Sequence, residues 1–317
     1  MNIVITGGAG FLGSGLVKKL LTDIPELRQI HVVDRAKLDT GFLESDKVRS
    51  TVADITNPGE IAKIIDRTTT HVFHLAAIVS SHAEEDFDLG MSVNLQATQL
   101  LLERCRQVNP DIRFIFSSSV AVFGGKLPDE IDSMTAMLPS SSYGTQKAIG
   151  ELLVNDYARK GFVDALSVRL PTVCIRPGAP NKAASSFVSG IIREPLKRES
   201  SNCPVDVDLP LWVSSPDTVI QNIVHASQIN TQELTGFRTL SLPGLQTCAK
   251  EMIESLAKQA GNDYLEYISY DKDPTIERIV SSWPKSINVE RELSLGFKKD
   301  KDFDSILGLY IDQHPIT

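Results

Sequence analysis

The chain opens MNIVITGGAGFLG, a short apolar run followed by Gly7, Gly10 and Gly13 at three-residue intervals. Glycines spaced this way either form a tight turn that needs no ligand or cradle a phosphate. Asn2–Thr6 reads as a buried strand and residues 11–21 as a helix, so the glycines lie between a strand end and a helix start. A dinucleotide-binding loop needs them there. Gly7 permits the turn, Gly10 lets backbone approach a pyrophosphate, and Gly13 allows the helix to pack close to the strand. The backbone N–H groups of Phe11 and Leu12 open the helix, whose dipole favours a phosphate. A second β-branched run, "IHVVD", ends at Asp34. A carboxylate about twenty residues beyond the glycines binds the adenine ribose diol. It also repels the 2′-phosphate of NADP, so NAD is the expected cofactor. Arg35 is read as an ordinary surface residue after the strand.

The pattern continues beyond this first unit. Strand-like "KVRSTVADI" ends at Asp54 and Ile55, helical 58–66 follows, then "HVFHLAA" at 71–77 and a helix over 91–108. Strand 113–119, helix 143–160 and strand 165–173 complete the series. Strands alternating with helices predict parallel βαβ units. Strands apolar throughout predict a sheet covered on both faces. The expected fold is α/β, a Rossmann-type doubly wound parallel sheet with a smaller, discontinuous C-terminal α/β substrate domain. The expected boundaries are 1–173 with a return segment at about 211–230 for the NAD-binding domain. The cap comprises 174–210 and 231–317.

Tyr143 and Lys147 stand four residues apart in "YGTQK" at the start of a helix, so they share one face. A phenol titrating near pH ~10 is a poor base at neutral pH. A neighbouring ammonium favours the phenolate. The strand end "FIFSSSVAVFG" offers Ser117, Ser118 and Ser119 as hydroxyls for a substrate alcohol.

Taken in order, TGGAGFLG, Asp34, "ADI", "HLAA", Asn94, "SSSVAVFG" and YGTQK resemble an extended short-chain dehydrogenase/reductase of the NDP-sugar epimerase-like branch. The resemblance spans essentially the whole chain. It implies Tyr143 as general acid/base, Lys147 as its activator and ribose ligand, and Ser119 as the catalytic serine. It places Asp54 and Ile55 at the adenine, and Leu75, Ala76 and Ala77 along the pyrophosphate and ribose. Asn94, by resemblance, is used structurally near the cofactor strands and is grouped with the cofactor-binding residues. It also implies a homodimer through helices 91–108 and 143–160.

The chain departs from the epimerase pattern at Phe123, where those enzymes carry a second tyrosine, and at Thr172, where they carry a substrate-side asparagine. "LPTVCIRPGAPNKAASSFVSGIIREPL" and "HLAAIVSSHAEEDFDLGMSVN" instead resemble the D-erythronate dehydrogenase subgroup. That resemblance implies oxidation of a four-carbon sugar acid at C2. Arg176 or Arg193 is the expected carboxylate ligand, since guanidinium holds a carboxylate bidentately. Ser80 and Ser81, just beyond "HLAA", are expected to meet a polyol, with Thr172 also at the substrate. A 4-epimerase or dehydratase with tightly held NAD is the first alternative. A non-catalytic dinucleotide-binding regulator is the second, which has no need of an activated phenol.

A net charge of −8 argues against nucleic acid or an acidic membrane surface as partner. No apolar run approaches the roughly 18 residues of a membrane span. Strand-like sequence begins at residue 2, which leaves no room for a signal peptide. Four scattered cysteines predict neither disulfides nor zinc and fit a reducing cytoplasm. The histidines show no metal-ligand spacing, and no metal is expected.

Overall fold

The computed structural model describes residues 1–38, 45–234 and 236–316. The chain begins β1 (Asn2–Thr6), α1 (Phe11–Asp23), β2 (Gln29–Asp34), β3 (Val48–Val52), α2 (Pro58–Ile64) and β4 (His71–His74). Short α3 (Ser80–Glu85) and α4 (Phe87–Gly90) follow, then a π-helical turn, Met91–Gln96. Next come α5 (Ala97–Val108), β5 (Arg113–Ser119), α6 (Ser142–Arg159) and β6 (Asp164–Leu170). After these lie β7 (Thr172–Val173), α7 (Ser186–Arg193), β8 (Ser201–Asn202), β9 (Leu211–Ser214) and α8 (Pro216–Gln228). The remainder is β10 (Thr239–Ser241), β11 (Leu245–Thr247), α9 (Ala249–Ala260), β12 (Ile268–Ser269), α10 (Pro274–Ser281), α11 (Glu290–Ser294) and α12 (Phe303–Gln313).

Seven strands form one sheet in the order β10-β6-β5-β4-β1-β2-β3, and the pairings among β1–β5 are all parallel. This is the expected doubly wound Rossmann-type arrangement. The chain steps outward from β1 to β3 and then returns to the other side of β1 at β4. That reversal opens a crevice at the carboxyl ends of β1 and β4, where open α/β sheets take their ligands. Helix α1 packs down through Gly13, Leu16, Val17 and Leu20, a spacing that puts all four on one face. Val4, Val33, Val72, Phe114 and Phe116 of the strands share a buried cluster with Leu101 and Leu102 of α5.

Two compact units divide the chain. The first is Met1–Ser119, Ser142–Arg169 and Ile220–Leu240, and the second is Val120–Ser141, Leu170–Val219 and Ser241–Thr317. The second has its own core, in which α7 contributes Phe187, Val188, Ile191 and Ile192, and α9 contributes Met252 and Leu256. It also holds a small sheet in the order β11-β9-β7.

Several boundaries differ from the sequence reading. The strand expected over 165–173 breaks after Leu170 because Pro171 has no N–H for the ladder, and Thr172 pairs instead with Val213 of β9. Residues 120–141, expected with the nucleotide-binding part, group with the second unit. There Ile131 exchanges backbone bonds with Ser286 and Asn288. The returning segment is 220–240 rather than about 211–230. Strands β3 and β4 stop at Val52 and His74, so "ADI" and "LAA" are loop.

Candidate active site

The turn after β1 has Gly7 at φ +72°, a backbone conformation that favours glycine. A Cβ there would lie 2.6 Å from the amide nitrogen of Ala76, and one on Gly13 would strike the carbonyl of Gly7. The β1–α1 turn and the β4 loop therefore touch backbone to backbone. Gly10 is the N-cap of α1, with no side-chain cap and no acidic residue in the first turn. The helix start, with Phe11 and Leu12, thus keeps its positive dipole end for a ligand.

Gly7 and Gly10 form one wall of a cavity of about 300 Å³. Asp34, Asp54 and Ile55 line it from the ends of β2 and β3, and Leu75, Ala76 and Ala77 line it from the β4 loop. Asp34 accepts hydrogen bonds from the backbone of Ala9 and Ala36, one on each oxygen, both at 3.0 Å. A carboxylate has about four lone-pair sites, so two remain for a ribose diol. Asp54 accepts from the amide and hydroxyl of Thr56 at 2.9 and 2.7 Å. These bonds, the first more than the second, hold its carboxyl below the usual carboxylate range, and the charge of Arg35 adds to them. Arg35 thus lies near an acid. The residues present fit a dinucleotide with a free 2′-hydroxyl. Replacing Asp34 with Ala is expected to weaken NAD about tenfold or more, since hydrogen bonds to a charged group contribute ~1.5–3 kcal/mol. The preference for NAD over NADP should narrow at the same time, as titrations with both cofactors would show. A wild-type preference for NADP would make Arg35 the selector instead.

Asn94 has the structural place near the cofactor strands that the resemblance implies, and makes no direct place for a cofactor. It is fully buried, and its amide accepts from Ile78 N–H at 2.7 Å while donating to Ile78 C=O and to Gln146 Oε1. With its groups used internally, it fixes the β4 loop to α6 rather than touching a cofactor.

The three serines at the end of β5 have separate partners. Ser117 donates to the carbonyl of His74 at 2.9 Å, Ser118 donates to Glu151, and Ser119 hydrogen-bonds Tyr143. Tyr143 opens α6, and burial pushes its phenol up to about 12, with the Ser119 bond working against the rise. One turn on, Lys147 donates to the carbonyl of Ser117 at 2.7 Å. Its ammonium lies 4.6 Å from the centre of the Phe116 ring and 5.8 Å from that of Tyr143. Burial brings this lysine down to about 7 from 10.5, and the charge of Glu151 resists the fall. Between those two values the unfolded chain binds a proton that the folded chain does not, so stability rises with pH. Tyr143 acts with the opposite sign only between 10 and about 12. Burial also raises the thiols of Cys105, Cys174 and Cys203 from their ordinary 9.0, so they oppose the rise from there on. Stability measured by denaturant unfolding should therefore climb from about pH 7 toward 9 in the wild type, and less so in Lys147→Met. Equal slopes would contradict this placement of the ammonium.

The residues expected at the substrate are distributed as follows. Ser80, buried, and Ser81 begin α3 in the first unit, and Thr172 lies on β7 in the second. The expectation for Arg193 is corrected. It is 2% exposed, and its guanidinium binds the Glu194 carboxylate through Nε and Nη2 and the Arg176 carbonyl through Nη1. Its charge is already paired. Arg176 differs, as its side chain donates to Asn181 Oδ1 at 3.4 Å, and among the described residues no carboxylate lies within ion-pair distance. Burial lowers its pKa, and the charge of Arg193 adds to that.

The sequence reading missed Val33, Ala53, Ile78 and Val93 in the cavity wall. Their position at or beyond apolar strand ends, or beside Asn94, was the available signal. It also missed Glu151, four residues past Lys147 on the same helix face. Glu151 is fully buried and takes a bidentate ion pair from Arg169 of β6 at 2.8 Å. Among the described residues no His, Cys, Asp or Glu group could hold a metal ion, and no helix is long and apolar enough to cross a membrane.

Residues 3–212 match the NAD dependent epimerase/dehydratase family. A D-erythronate dehydrogenase of Haemophilus influenzae is 48% identical over 316 residues, covering 98% of this chain and 99% of that protein. Another from Cupriavidus necator is 46% identical, covering 98% of each. Among solved structures, a nucleoside-diphosphate-sugar epimerase from Agrobacterium tumefaciens superposes with a TM-score of 0.90 at 38% identity, covering 99% of this chain and 94% of that one.

Proposed function

Since the chain belongs to the NAD dependent epimerase/dehydratase family, we propose that it is an NAD-dependent dehydrogenase that oxidises a small, D-erythronate-like sugar acid at C2 to the 2-oxo acid. The full-length similarity to two proteins named D-erythronate dehydrogenase supports the substrate class. The observation that carries the chemistry is the chain Ser119–Tyr143 with Lys147 one turn away. NAD, when bound, supplies the hydride acceptor. Ser119 and Tyr143 hold the C2 hydroxyl, and the Tyr143 phenolate takes its proton as C2 becomes a carbonyl. Lys147 opposes the charge on the phenolate. Arg176, desolvated and without a carboxylate partner, binds the substrate carboxylate. Ser80, Ser81 and Thr172 are proposed to contact its hydroxyls.

The enzyme is read as a cytoplasmic homodimer. Ile149 and Leu152 of α6 are 37% and 52% exposed, an apolar surface suited to a second copy, and solution mass measurement tests this. The activity is tested by following NADH formation over a panel of aldonic acids and NDP-sugars. Oxidation of D-erythronate with net NADH supports the reading. Interconversion of NDP-sugars without NADH would overturn it in favour of an epimerase.

A further inference from the structure

Beneath the Tyr143–Lys147 pair lies a buried ionic group to which the proposed reaction gives no part. Tyr143, Lys147 and Glu151 recur at four-residue spacing on α6 and form one stripe. Glu151 is fully buried, and both its oxygens are engaged by Arg169, at 2.9 Å from Nε and 2.8 Å from Nη2, while Ser118 donates to the first oxygen at 2.5 Å. A buried ion pair of this kind is no better for stability than apolar side chains of the same volume, so stability alone does not explain a carboxylate here.

The surroundings of Lys147 suggest a reason. From β5 it meets the Ser117 carbonyl and the Phe116 ring, and its own helix brings Tyr143 and Glu151. From β4 comes His74, whose ring is held between the hydroxyls of Thr6 at 2.7 Å and Thr98 at 2.9 Å. Burial, with the lysine's charge, drives this histidine down to about 3, so at neutral pH it adds no positive charge. Among the described residues Glu151 is the anion that acts on the ammonium.

We infer that Glu151, held in place by Arg169 and Ser118, is a positioning residue that raises the share of the pair in which Lys147 is an ammonium while Tyr143 is the phenolate. The inference rests on the proposed role of Tyr143 as base. Removing one proton from the tyrosine–lysine pair gives two forms with the same proton count. One is phenolate with ammonium and can take the substrate proton, whereas the other is phenol with neutral amine and cannot. The titration belongs to the pair rather than to either residue. A negative charge beside the amine favours the active form. Without it the lysine loses its proton more easily, so the pair titrates at lower pH and shifts further toward the inactive form. Loss of Lys147 acts the other way, leaving a lone phenol that ionises only at high pH.

The pH dependence of kcat/KM for D-erythronate with saturating NAD separates these cases. Glu151→Gln leaves the Arg169 charge buried and unpaired, so Glu151→Gln/Arg169→Met, which removes both charges, carries the test if the single variant does not fold. An opposite charge typically moves a pKa by about one unit or more. Glu151→Gln should therefore show an acid limb about one unit lower and a plateau about tenfold lower. The double variant, which loses a cation as well, should show a smaller shift in the same direction with a lower plateau, NAD affinity being unchanged in both. In Lys147→Met the acid limb should move up. A folded double variant whose plateau falls with an unmoved or rising limb would overturn the inference, because a merely structural role lowers the rate without that shift. Tyr143→Phe, assayed alongside, separates the two claims. If it is inactive and the limb stays put, only the role of Glu151 fails. If it is active, the reading of Tyr143 as base fails, and this inference falls with it.

Discussion

Tyr143→Phe should bind NAD much as the wild type does and yet turn over about 10²–10⁴-fold more slowly, the usual loss when a positioned acid/base is removed. The ring would remain in place at the start of α6, and Lys147 would still hold the Ser117 carbonyl at 2.7 Å. Only the phenolic oxygen and its bond to Ser119 are lost. The defect should therefore appear in kcat, with little change in cofactor titration or unfolding midpoint. Steady-state rates for D-erythronate, together with NAD binding by fluorescence, would show this. A variant that kept more than about a tenth of the wild-type rate would lie outside the range expected for a proton-transferring residue and would end the assignment.

Arg176→Ala should raise KM for D-erythronate steeply while NAD affinity holds. Removing one partner of a buried, hydrogen-bonded charge pair costs about 2–5 kcal/mol, which corresponds to at least roughly thirtyfold in KM. A neutral polyol of the same length should lose nothing, because it brings no carboxylate to the guanidinium. Arg193→Ala makes the contrast. It would leave Glu194, itself buried, without its guanidinium partner, and should lower the unfolding midpoint before it alters substrate affinity. If Arg176→Ala oxidises D-erythronate with an unchanged KM, the acid-binding proposal loses its support.

Much of the site was legible because its signals are local. A strand, a glycine turn and a helix start occupy thirteen consecutive residues. The structure keeps Gly7 at positive φ, with no room for a Cβ. Tyr143 and Lys147 share a helix face at any four-residue spacing, so their pairing needed only the helix. Asp34 and Asp54 reach one cavity because parallel strands in a doubly wound sheet deliver their carboxyl ends to the same edge.

Other features could not be read this way, and each depends on partners remote in sequence or on burial. Arg176 and Arg193 look alike in the chain, and only the fold pairs one with Glu194 and leaves the other without a carboxylate among the described residues. Asn94 has a structural part by resemblance, but its partners, Ile78 and Gln146, lie 16 and 52 residues away and are set by the fold. Glu151 becomes part of the site only because Arg169 arrives from the next strand and Ser118 from the previous one. Sequence by itself determined the order of the main strands and helices, the glycine turn and the placing of Tyr143 and Lys147 on one helix face, since backbone geometry and helical spacing act over a few residues. Tertiary structure alone decided which charges are neutralised and which remain for a ligand, because that depends on what packs against each group and excludes water from it.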